Sequence, residues 1–92
     1  MSDTGVFSHD PEATLDYSVD WSDWLGNAET IDTVVWTVPE GLTAALEDET
    51  DGVCTVWLSG GVVNRTQKVE CKITTNFGRV DERTIRLSVR ER

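Results

Sequence analysis

Asp16, Asp20 and Asp23 crowd into the stretch "LDYSVDWSDWLG" at 15–26, where three carboxylates could act as calcium ligands or as an acid pair. Spacing decides against both. If the stretch is extended, Asp16 and Asp20 fall on one face about 13 Å apart, at ~3.3 Å per residue. One calcium ion needs oxygens at ~2.4 Å. A pair of glycosidase carboxylates sits less than ~10 Å apart. Solvent-facing polar positions on a strand are the simpler account. A second acidic run, "EDETDG" at 47–52, lacks the spaced D-x-[DN]-x-[DN]-G-x5-E pattern of a calcium loop.

Nucleophilic chemistry fares no better. His9 is the only histidine and falls in a lead-in without periodicity, where nothing would fix its geometry for Ser–His or Cys–His work. Cys54 and Cys71 could form one disulfide, but without an export signal small buried thiols are the expected state. Asn64-Arg65-Thr66 matches a glycosylation acceptor that has no use without export, and there is no GxGxxG, Walker A or CxxC motif. The sequence therefore predicts no catalytic residue, no cofactor and no metal.

The elements that carry these residues repeat with a period of two. Leu15, Tyr17, Val19 and Trp21 alternate with Asp16, Ser18, Asp20 and Ser22, the mark of a half-buried strand. Ser22-Asp23 is placed to cap one helical turn through Trp24-Leu25, ended by Gly26-Asn27. Further strands are predicted near 30–38, weakly at 42–46, from 53 to the Gly60-Gly61 stop, from 66 to the Asn76-Phe77-Gly78 turn, and over the last "ERTIRLSVRER". Residues 1–14 read as a flexible N-terminal arm and 15–92 as one domain.

Six or seven short antiparallel strands with turns about every ten residues predict an all-β, immunoglobulin-like β-sandwich. Its expected core is Tyr17, Val19, Trp21, Val34, Trp36, Val56, Leu58, Val69, Cys71, Ile73, Ile85, Leu87 and Val89. A chain of 92 residues buries only about 60–65% of its unfolded surface, which leaves little room for a substrate cavity.

Charge is unevenly spread. Residues 1–64 hold 13 acids and no Lys or Arg, whereas residues 65–92 hold all eight bases against four acids, for a net −9. This disfavours nucleic acid and anionic membrane as partners. Either one half meets the other, within a chain or between copies, or the charge only keeps the domain dispersed. If the first strand runs beside the last, Asp16, Ser18, Asp20 and Ser22 neighbour Thr84, Arg86, Ser88 and Arg90. Trp24 and Trp57 do not fit the alternation, so each packs under a loop or anchors an interface. Trp24, Leu25, Trp57, Asp16, Asp20, Arg86 and Arg90 are thus the candidate interface residues.

"LDYSVDWSDWLG" with "ETI", then "WTVPEGLT", "TVWLSGG" and "KITTNFGRVDERTIRLSV", together resemble small structural proteins of tailed bacteriophages described as fibre–tail adaptors. The resemblance implies a virion component with an immunoglobulin-like sandwich, made in the bacterial cytoplasm and joining tail or baseplate to a fibre. Its partners would be other phage structural proteins, in several copies of a symmetric assembly, with no catalysis and no cofactor. A head decoration or head–tail connector is the alternative within the same class. A glycan-binding module using exposed tryptophans is the alternative outside it.

Overall fold

The alternation of apolar and polar residues becomes seven strands: β1 (Ser2–His9), β2 (Thr14–Asp20), β3 (Ile31–Thr37), β4 (Leu42–Thr50), β5 (Val53–Gly60), β6 (Thr66–Thr75) and β7 (Val80–Val89). The structure, a computed structural model, describes residues 2–91, with side chains from Gly5 onward. Met1 and Arg92, at the outer limits of the expected arm and domain, lie outside the described residues. The strands form a four-stranded sheet ordered β1-β7-β6-β3 and a three-stranded sheet ordered β2-β5-β4.

The two sheets close on each other through one face of each. Val19, Val56 and Leu58 point in from the smaller sheet, and Val69, Ile73, Ile85, Leu87 and Val89 from the larger, each no more than 1% exposed. Full burial of such a side chain contributes about 1.5–3 kcal/mol, so this seam dominates the stability of the sandwich. Cys54 and Cys71 are free thiols buried in the same seam. The hydrogen bond between the two thiols, with burial, pushes Cys54 above the ordinary thiol range. The expected core is buried with two exceptions. Val34 and Trp36 are only half-buried, because β3 is an outer strand of its sheet. Leu42 and Cys54 join the core instead.

Three expectations need correction. Residues 2–9, read as part of an arm, form β1, whose register runs from Ser2 opposite Arg83 to His9 opposite Val89. This pairing is parallel, so the sandwich is not antiparallel throughout. The strand escaped the period-two reading because His9 is the one buried side chain among its described residues, Phe7 lying against Tyr17 yet 42% exposed, and its register shifts between Asp3 and Val6. Second, β2 does not run beside β7. That place belongs to β1, and β2 pairs with β5, setting Asp16 opposite Trp57 and Asp20 opposite Val53. Third, the strand expected weakly at 42–46 runs on through the acidic Glu47–Thr50 as β4. Only Asp51-Gly52 turns the chain, with φ of 51° and 86°. Two consecutive positive φ values suit a tight hairpin whose twist matches its strands, and Asp-Gly is a favoured pair for it.

The single turn expected after β2 is present, but it is Asp20, not the expected Ser22-Asp23, that caps it. The backbone N–H groups of Trp24 and Leu25 both donate to the Trp21 carbonyl, at 2.9 and 3.0 Å. Its start is held by the Asp20 carboxylate, which accepts from the Ser22 N–H at 2.9 Å.

Candidate functional site

The residues considered for chemistry are scattered by the fold. His9 is fully buried, with Nδ1 at 2.7 Å from the Tyr17 hydroxyl, so it ties β1 to β2 across the sandwich. Asp16 and Asp20 point outward from β2, and Asp23 lies beyond it in the turn. Among the described residues no three His, Cys, Asp or Glu side chains gather closely enough to hold a metal ion. A recess of about 460 Å³ between the 21–31 segment and the β4–β5 hairpin is lined in part by Leu25, Glu29, Glu49 and Asp51 and opens to solvent.

The same end of the molecule holds an ion pair, overlooked in the sequence, between the buried Glu29 carboxylate and the exposed Arg79 guanidinium. Glu29 is 6% exposed and accepts from Arg79 Nε at 2.9 Å, from Arg79 Nη2, from the Thr75 hydroxyl at 2.7 Å and from the Gly26 N–H at 2.8 Å. The Arg79 guanidinium, followed by the Gly26 N–H and the Thr75 hydroxyl, holds the Glu29 carboxyl down at about 2. The same contact raises Arg79 above its ordinary value. A carboxylate so thoroughly supplied with donors stays ionised although little of it touches water.

Two tryptophans complete this end. The Arg79 guanidinium lies 3.9 Å from the Trp24 ring centroid, and Arg83 lies 4.2 Å from that of Trp21. The two indoles meet edge to face, 5.4 Å apart at 70°. Such cation–π contacts suit partly covered rings. Trp24 and Leu25 are therefore half-buried pieces that close one end of the sandwich. Nothing in the sequence signalled this cluster, because Glu29 and Arg79 are 50 positions apart and only the tertiary fold joins them.

The remaining candidates lie on the two outer faces. On the three-stranded sheet, cross-strand partners make rows: Asp16 with Trp57 and Leu46, then Ser18 with Thr55 and Asp48, then Asp20 with Val53 and Thr50. Trp57 is half-buried and Leu46 is 60% exposed. The Ser18 and Thr55 hydroxyls hydrogen-bond at 2.8 Å in the middle row. The Ser22 side chain and N–H, as hydrogen-bond donors, lower the Asp20 carboxyl below its usual range, with help from Arg83. No strand of this sheet carries a Lys or Arg.

The four-stranded sheet is different. Its outer face carries a row of Lys68, Arg86 and Val6, with Val6 62% exposed. The adjoining row pairs Glu70 with Thr84. Arg90 follows β7, its N–H donating to the His9 carbonyl at 2.9 Å and its Nε to the Ser88 hydroxyl at 3.1 Å. The fold thus gathers Asp16, Asp20 and Trp57 on one side, places Arg86 on the opposite side, sets Arg90 beyond the end of its strand, and puts Trp24 and Leu25 at one end. Leu46 and Val6 were missed. A register shift between Ala44 and Leu46 puts Leu46 out of phase with Leu42, and Val6 sits in the overlooked β1.

Among the described residues no helix is long and apolar enough to cross a membrane. No curated protein matches the chain. A family model does match it over residues 9–88, which takes in β2 to β6 and all but the last residue of β7, and only His9 of β1. The chain belongs to the family described as podophage GP4 fiber-tail adaptor protein gp77.

Proposed function

We propose that this protein is a non-enzymatic structural part of a phage particle that joins the tail to a fibre through protein–protein contacts. The family match over 9–88 is the single observation that carries the reading. The architecture supports it, since side chains fill the seam between the sheets and the broad surfaces left are strand faces. We read the sandwich as immunoglobulin-like. The grouping of β7-β6-β3 in one sheet and β2-β5-β4 in the other supports this reading, since it follows the CFG and BED groups of such a sandwich, while β1 joins the larger sheet instead of the smaller.

Several copies sit around the tail, each presenting one region to the tail and another to the fibre. The half-buried Trp57 with Leu46, rimmed by Asp16 and Asp48, is the surface best suited to a protein neighbour, as an aromatic anchor within a polar surround. A glycan-binding role is less favoured, because the Trp24 ring is covered by Arg79 and offers no open platform.

Deleting the gene and imaging the particles tests the reading. Tails without fibres are the expected result, with density for this chain at the tail–fibre joint of normal particles. Fibred tails in the deletion, or density for the chain on the head, would refute it.

A further inference from the structure

We infer that β3 is an open sheet edge that pairs with β3 of a second copy, antiparallel about a two-fold axis at Val35, joining the four-stranded sheets of the two copies into one. This goes beyond the adaptor reading and does not depend on it. It is tested on the isolated chain, so that either can fail while the other stands.

The outer strands of the two sheets are not equally guarded. An outer strand offers unpaired backbone donors and acceptors, and charges or bulges on it keep other strands away. β4 carries Glu47, Asp48 and Glu49, with a register shift between Ala44 and Leu46. β2 carries Asp16 and Asp20. In β1 the register shifts between Asp3 and Val6, and beyond that shift the carbonyl and ring of His9 are engaged by Arg90 and Tyr17. β3 is irregular only at its start, between Ile31 and Thr33. From Thr33 to Thr37 it runs unbroken against β6, carries no charge, and among the described residues pairs with no strand on its other side. Val35, in the middle of this run, is 55% exposed.

A second β3 fits this edge because the run is self-complementary. With Val35 facing Val35, Thr33 faces Thr37 and Val34 faces Trp36, each twice, and no charge opposes a like charge. The inner pair matters most. Val34 and Trp36 are only half-buried in one copy, and an aromatic set against a β-branched side chain across two strands is a favourable pair that covers both. On the outer face Lys72 stands beside Val35. Its counterpart in the second copy falls three strand spacings away, about 14 Å. That exceeds the screening length of ~8 Å at about 0.15 M salt. Glu82, opposite Lys72 on β7, offsets its charge further. Both copies give the same residues to the contact, so it is isologous and closes at two chains.

Sedimentation velocity of the purified full chain tests this, at concentrations up to about 1 mM. The mass should double as concentration rises and go no further. Val35→Lys and Val35→Glu each set like charges face to face at the axis, so each alone should stay monomeric. Mixed, they should form a one-to-one pair. Leu46→Lys alters a similarly exposed aliphatic on the other sheet and should pair like the wild type. Amide hydrogen exchange of the unaltered chain gives an independent reading, with protection rising with concentration in β3 and not in β4. A wild type that stays monomeric throughout that range overturns the inference, as does growth beyond two chains. So do Val35 variants that pair like the wild type, a mixture that stays apart, loss of pairing in Leu46→Lys, or protection gained elsewhere and not in β3.

Discussion

The end closed by Glu29 and the outer face of the three-stranded sheet treat acidic residues in opposite ways. Glu29 is buried and surrounded by donors from Arg79, Thr75 and Gly26. Asp16 and Asp48 stand in the open on strands that carry no base. The first arrangement serves the fold, because a buried carboxylate stripped of its partners is strongly destabilising. The second adds little to the fold, since exposed charges are screened by water and salt. Acidity of this kind is available for neighbours.

Breaking the sealed end should have the largest effect. Trp21 is fully buried and meets Trp24 and Arg83, so Trp21→Ala is expected to cost about 3–5 kcal/mol in a denaturant titration. Loss of less than about 1 kcal/mol would mean that this end is not packed as described.

Next in size is the contrast between two neutralised carboxylates. Glu29→Gln should lower the melting temperature clearly, because it weakens the bonds to Arg79. Asp16→Asn should leave it almost unchanged. Equal shifts in a thermal melt would erase the distinction between the two regions.

Acid sharpens the same contrast. Glu29 is held at about 2 against an ordinary 4.5. A depressed folded value means that the unfolded chain binds the proton first, so the stabilisation is full above about pH 4.5 and is lost as pH falls toward 2. Stability measured over that window should fall less steeply in Glu29→Gln than in the wild type. Parallel slopes would assign the acid sensitivity to other groups.

The smallest effect belongs to the open face. Leu46→Ala removes an exposed side chain and should change stability by no more than about 0.5 kcal/mol, read by the same titration. A larger loss would show that Leu46 packs against the fold.

Much of this was legible in the residues, and the gaps have physical causes. The two-residue rhythm marked six of the seven strands and all but two of the core positions on the expected faces. β1 was hidden because its one buried side chain among the described residues is the single histidine, not a run of aliphatics. Asp51-Gly52 carried a hairpin signal, yet the acids before it masked the extension of β4. Of the candidate interface residues, Trp57, Asp16 and Asp20 were recognisable as outward-facing or out of phase. Their meeting with Leu46 was not, because a bulge shifted its phase.

The sequence by itself determined which residues turn inward, since side-chain direction on a strand is a local property of alternation. It also determined where the chain must turn, through Gly, Pro, Asn and Asp at strand ends. Only the tertiary structure decided which strand lies beside which. It put β1 rather than β2 against β7, joined Glu29 to Arg79, and set the acidic and basic rows on opposite sides of one sandwich. Those choices depend on how the whole core closes, because each strand's pattern is satisfied by more than one neighbour.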